Sequence, residues 1–173
     1  MTIQGSERQL SGRRIISALK EASVEYILSV PDLHTSKGLL APIAKDPDLK
    51  LVRVCKEDEC FGISAGLTYG RKRATILIQY TGMLYALNAI RAISCEHRMP
   101  TVMMVGLLAK EPDRLPRDSG RFGVRIVEPI LDVLGIKHIY IDHDDDIENI
   151  SPAIDLAYRT SSPVAFLIGR SPV

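Results

Sequence analysis

Short apolar runs rich in β-branched residues take turns along this chain with segments whose apolar positions recur every three or four residues. Residues 8–22, "RQLSGRRIISALKEA", set Leu10, Ile15, Ile16 and Leu19 at helical spacing, and "VEYILSV" follows as a strand that ends at Pro31. The pairing then repeats. "SKGLLAPIAK" predicts a helix weakened by Pro42, "LKLVRVC" a strand, "EDECFGISAGLTYG" a helix closed by Gly70, and "ATILIQY" a strand. Next come a predicted helix over residues 84–95, the strand "TVMMVGLL", a polar loop over 109–121 and a helix over 122–134 that contains Pro129. The strand "KHIYID", a helix with Ser151 as N-cap and Pro152 at its first position, and the strand "PVAFLIG" complete the series.

Strands that are apolar on both faces and alternate with helices predict an α/β doubly wound fold. Its mostly parallel sheet has about six strands with helices on both faces. Neither a repeat nor a linker interrupts the series, so residues 1–173 read as a single domain. In such sheets ligands bind at the carboxyl ends of the strands, near the point where the strand order reverses. That rule selects residues 31–37, 56–59, 80–84 and 106–121.

Charge narrows the classes of partner. The 22 Lys and Arg and 21 Asp and Glu are dispersed and leave a net charge of +1, which argues against a nucleic-acid stripe or a polybasic membrane anchor. The N-terminal "MTIQGSERQLSGRR" lacks the apolar core of a signal peptide, and no apolar run approaches bilayer length, so a cytoplasmic location is expected. Cys55 and Cys60 are spaced too widely for the usual zinc hook or redox pair. With Cys95 they read as small buried thiols in a reducing compartment, and no metal site is expected on this chain.

The segment "KEDE" carries the candidate chemistry. Taken alone, Glu57, Asp58 and Glu59 are first-turn acids, each stabilising a helix by under about 1 kcal/mol through its dipole. Their surroundings add more. They stand at a strand's carboxyl end, before a helix bearing Gly62, Ser64, Ala65 and Gly66, and next to a second turn, "QYTGM", free of large charged side chains. A carboxylate facing a shallow pocket lined by small residues has a use beyond capping.

Glu57, followed nine residues later by Gly66 in "EDECFGISAG", resembles the glutamate signature of the pyrimidine-binding domain of thiamine-diphosphate enzymes. The "VPD" one unit upstream and Gln79, Gly82 and Asn88 downstream stand at that family's spacing. "ILSVPD" and "GLTYGRKRATILIQYTGMLYALNAI" are similar to the α subunit of sulfopyruvate decarboxylase and to the N-terminal half of phosphonopyruvate decarboxylase, over residues 15–168. Two departures stand out. Tyr80, Leu84 and Tyr85 replace an asparagine, a glycine and a second asparagine of the family's turn, and the lysine of "VPDLHTSK" sits one residue further from the proline.

The resemblance implies a carbon–carbon lyase subunit that decarboxylates a small 2-oxo acid such as sulfopyruvate or phosphonopyruvate, with thiamine diphosphate as electron sink. It implies that Glu57 hydrogen-bonds N1′ of the aminopyrimidine, leaving Asp58 and Glu59 to the helix. Tyr80, Thr81, Gly82 and Met83 would shape the cofactor wall, Met83 being equally readable as core filling. Asp32, His34 and Lys37, in the loop after the first strand, are candidates for holding the substrate's anionic groups, with a solvated loop as the plainer alternative. The charged loop over 110–121 brings Arg114, Arg117 and Arg121 as further anion contacts or as solvated surface.

The chain has no Gly-Asp pair and no glycine-rich phosphate loop. A separate β subunit is therefore expected to hold the diphosphate and Mg2+, and the isolated chain is expected to pair as a homodimer. Two other readings stand beside this one: a non-catalytic pairing module of the same fold, and a subunit of a related carboligase.

Overall fold

The computed structural model describes residues 9–173; the first eight residues of the polar segment read for a leader, and with them the first residue of the helix expected over 8–22, lie outside the described residues. Six strands form one sheet: β1 (Tyr26–Ser29), β2 (Lys50–Arg53), β3 (Ala74–Gln79), β4 (Val102–Gly106), β5 (Lys137–Ile141) and β6 (Val164–Ile168). Every pairing is parallel and the order is β2-β1-β3-β4-β6-β5, the expected doubly wound α/β sheet. The chain steps from β1 outward to β2, then crosses back over β1 to reach β3. The order therefore reverses between β1 and β3, and a crevice opens there at the carboxyl ends.

Strand alternation feeds two separate cores. Leu77, Val102, Met104, Val164, Phe166 and Ile168 point to one face, where they bury α1 (Gly12–Glu21) and α8 (Ile150–Thr160). Ile76, Ile78, Met103, Val105, Ala165 and Leu167 point to the other. That face carries α3 (Glu57–Tyr69), α4 (Tyr80–Tyr85), α5 (Leu87–Ala89), α6 (Phe122–Arg125) and α7 (Val127–Val133), while a short α2 (Ala41–Ile43) lies on the first face. β3, β4 and β6 are buried along nearly their whole length, which is why they read as continuous apolar runs. Among the described residues no helix is long and apolar enough to cross a membrane.

Several element boundaries differ from expectation, each for a local reason. The expected turn at 80–84 is a helix: Gln79 caps it in extended geometry, and α4 begins at Tyr80 with no loop between. Gly70 follows α3 at an ordinary φ of −75°, and the left-handed residue is Arg71 at +56°. The helix expected over 122–134 splits at Ile126. Pro129 has no N–H to donate to Arg125, so it takes the third position of a fresh helix, where no donor is needed. Ser151 is not an N-cap. A 3₁₀ segment, Asp144–Asn149, runs directly into α8 at Ile150, and Pro152 still falls within the first turn. Pro42 likewise sits at the start of α2, after a π-helical turn over Ser36–Leu40. Cys55 is exposed, Cys60 buried and Cys95 half-buried, so only one of the three matches the buried thiol expected. Burial, with Glu57 nearby, pushes the Cys60 thiol up to about 12.

Candidate active site

At the switch point, the loop after β1, the start of α3 and the end of β3 enclose a cavity of about 280 Å³. Val30, Pro31 and Leu33 give it apolar walls; Ser36, Glu57, Gln79 and Thr81 give it polar edges. Asp32 also lines it, yet its carboxylate is already committed. Oδ1 accepts from the backbone N–H of His34 (2.6 Å) and Thr35 (2.8 Å), and Oδ2 accepts from the Thr35 hydroxyl (2.5 Å). Asp32 thus ties its own loop into a turn.

The three acids of "KEDE" separate by geometry. Glu59 Oε2 accepts from the Cys55 N–H at 3.1 Å, reaching back over the helix start as a capping acid does. Asp58 leaves Oδ1 buried without a partner among the described residues and stays out of the cavity. Glu57, half-buried, faces the cavity, and its carboxylate makes no hydrogen bond or ion pair with any described residue. Its stem lies on the α4 backbone at Gly82, where an added Cβ would stand 2.6 Å from Oε1 and closer still to Cγ. Only a glycine leaves room for this side chain.

The other expected site residues scatter. Thr81 lines the cavity, its hydroxyl donating to Gln79 Oε1 at 2.7 Å, while Gly82 backs Glu57. Met83 is fully buried in the core beneath α4, among Phe61 and Ile78. Tyr80 turns away and lies against Gly123 of α6. Neither it nor Leu84 or Tyr85 lines the cavity, so the bulky departures from the family's turn leave this space open. Asn88 stands on α5, accepting from Arg91, outside the cavity. Asp32, His34 and Lys37 do not converge: His34 enters a second cavity and Lys37 a third, beside α1. Arg117 is taken up by Glu128 of α7 at 3.2 Å. Ser36 was not singled out in the sequence and Gln79 was marked only by the family's spacing; their positions in the loop past β1 and at the end of β3 were the available signal.

His34 is buried, at 7% exposure. Its Nε2 stands 2.9 Å from the Ile168 carbonyl, which can only accept, so Nε2 carries the proton and Nδ1 accepts from the Ser171 hydroxyl at 3.2 Å. Burial holds the imidazole pKa below its ordinary 6.5. The unfolded chain thus takes up a proton at His34 that the folded chain refuses. Stability should fall as pH drops through 6.5, the loss continuing down to the folded-state pKa. Melting temperatures at about pH 7.5 and about pH 5.5 should differ, and His34→Gln, which keeps a donor to Ile168, should narrow the gap. An unchanged gap would assign the acid sensitivity to other groups.

The donor set fits an aminopyrimidine ring. A flat heteroaromatic needs apolar walls and hydrogen-bonding groups at its edge, and the cavity offers Val30, Pro31 and Leu33 for the faces and an uncommitted carboxylate with a hydroxyl and an amide for the edge. No cation lines it, so nothing there suits a diphosphate. Among the described residues, no three His, Cys, Asp or Glu side chains gather as ligands for one metal ion.

No family model matches the chain. Among curated proteins, it is 30% identical over 156 residues to the sulfopyruvate decarboxylase subunit alpha of Methanocaldococcus jannaschii, an alignment that covers 88% of this chain and 89% of that one. The chain belongs to the family of sulfopyruvate decarboxylase α subunits. The α subunit of Methanothermobacter thermautotrophicus is 26% identical over 165 residues, 93% of this chain and 96% of its own. That of Methanococcus maripaludis is 23% identical over 159 residues. These family members thus match most of the chain's length.

Proposed function

We propose that this chain is the α-type subunit of a thiamine-diphosphate-dependent decarboxylase of sulfopyruvate or a similar 2-oxo acid. The observation that carries the reading is the carboxylate of Glu57, which faces an apolar-walled cavity at the switch point with no hydrogen-bond partner among the described residues. When bound, thiamine diphosphate supplies the electron sink for loss of carbon dioxide. Glu57 would hold the proton at N1′ of the aminopyrimidine. Thr81 and Gln79 would meet the ring's other polar edge, and Val30, Pro31 and Leu33 would sandwich its faces and exclude water.

The relatives' designation as a subunit alpha supports a partner chain, to which we assign the diphosphate and Mg2+. Large apolar side chains stand out in solvent near this end of the sheet: Leu33 is 85% exposed and Phe122 67%. Such side chains on one rim suit a subunit contact. Leu33 is held out over the cavity mouth by the Asp32 turn before it and buried His34 after it, a place where a partner would close the site.

The deciding experiment measures carbon dioxide release from sulfopyruvate and from phosphonopyruvate, with thiamine diphosphate and Mg2+, by the tagged chain recovered from its host with its companions. Release from sulfopyruvate is the expected result. No release, with a diphosphate-binding companion present in the recovered material, would turn the reading toward a non-catalytic pairing module, and condensation products in place of free aldehyde would turn it toward a carboligase.

A further inference from the structure

Two residues beyond Asp32, the loop after β1 turns His34 into a second cavity, of about 550 Å³, at the carboxyl ends of β4 and β6. Its charge is the reverse of the first. Around Glu57 the lining side chains include two carboxylates and no cation. Here they include Lys110 and Arg170 and no carboxylate.

Both cations are constrained and incompletely satisfied. Lys110 is only 7% exposed, and its Nζ donates to the carbonyl oxygens of Glu111 (2.6 Å) and Arg114 (2.7 Å). An ammonium has three N–H groups, so one has no hydrogen-bond acceptor among the described residues, although the centre of the Tyr140 ring lies 5.5 Å from Nζ. Arg170 places Nε on Asp142 Oδ2 at 3.1 Å, and its two terminal amino groups make no hydrogen bond to a described residue. Asp142, 4% exposed, also accepts from the Tyr140 hydroxyl at 2.8 Å and stays behind the cavity wall. Burial holds the Lys110 ammonium below the usual lysine range, with the nearby Asp142 carboxylate acting against it and the Arg170 guanidinium with it. His34 adds no charge there, because its nitrogens serve Ile168 and Ser171.

Cationic N–H groups left without acceptors in a concave, partly desolvated space are costly; Asp142 already pairs with Arg170, and an anion would answer the remaining N–H groups together with the charge of Lys110. We propose that this cavity binds the oxoanion head group, phosphate or sulfonate, of a small molecule, through Lys110 and the terminal amino groups of Arg170. Its volume exceeds what one such group fills, which leaves room for a small organic remainder. The inference stands apart from the decarboxylase reading, since no residue of the Glu57 cavity takes part in it.

The test uses the purified chain with inorganic phosphate in one titration and methanesulfonate in another, ionic strength being held constant with sodium chloride. Amide shifts of Gly169 and Ser171 are followed by NMR. Saturable shifts are expected with at least one of the two anions, and which one binds names the head group. Arg170→Gln and Lys110→Gln should each weaken binding about tenfold, the scale of one charge-assisted contact, while exposed Lys45→Gln leaves it unchanged. Circular dichroism confirms the fold of each variant, and Arg170→Gln alone decides the matter should Lys110→Gln fail to fold. Shifts that never saturate with either anion, or equal affinity in the folded variants and the wild type, would overturn the proposal.

Discussion

Glu57→Gln should leave the protein folded and lower carbon dioxide release by the assembled enzyme by about 10²–10⁴-fold, the range for removing a positioned proton-holding group. The substitution keeps the shape and removes the charge. Nothing in the fold leans on that charge: Glu57 makes no hydrogen bond or ion pair with a described residue, and Asp58 and Glu59 remain to meet the helix dipole. The change in stability should therefore stay within about 0.5 kcal/mol, as for surface substitutions that touch no network. Thermal melts read the first quantity and gas release the second. Near-full activity in the variant would remove Glu57 from the proposed role whatever the melts show.

Gly82→Ala should act on the same carboxylate from the other side. The new methyl would stand 2.6 Å from Glu57 Oε1, well inside van der Waals contact, so one of the two must move. Gly82 sits within helix α4 above the buried Met83, where the backbone is held by the core, whereas Glu57 is a flexible side chain with an open cavity beside it. The glutamate moves. A displacement of about 1 Å at a catalytic group costs on the order of 10²-fold in rate. Stability should change little, because alanine suits a helix better than glycine by about 1 kcal/mol and offsets part of the crowding. Activity lost with the melting temperature kept is the expected pattern. Retained activity would mean that the carboxylate's position against α4 is unimportant, and an unfolded variant would mean that the helix itself yields.

The layered α/β fold was legible because its cause is local and repeated. β3, β4 and β6 are covered on both faces, so their apolar runs appear undisguised in the sequence, and the helices between them keep their spacing. Boundaries were harder where two elements meet without a loop. Nothing in "QYTGM" announces that α4 starts at Tyr80, since that start depends on Gln79 leaving the sheet in extended geometry. The prolines at 129 and 152 do signal a first turn, but which residue opens it depends on what packs before it.

The site divides in the same way. "KEDE" at a strand end pointed to three candidate acids, and sequence likeness singled out Glu57. The separation of the three into a capping acid, a half-buried acid outside the cavity and a cavity-facing acid comes from where each points at the start of α3, a rotation of about 100° per residue that only the packed helix makes concrete. The loop "VPDLHTSK" was legible as a strand-end loop but not as three separate destinations. Its backbone turns on the Asp32 carboxylate, so residues two to five apart in sequence face different cavities. By itself, then, the sequence determined the layered sheet and the strand-end segments where a ligand could sit, because periodicity and residue type carry those, while the choice of Glu57 among the three acids rested on family resemblance. Tertiary structure alone decided which carboxylates were already committed, that Tyr80 folds away onto Gly123, and that Lys110 and Arg170 line one cavity. Each of those depends on contacts between segments far apart in the chain, which no local pattern encodes.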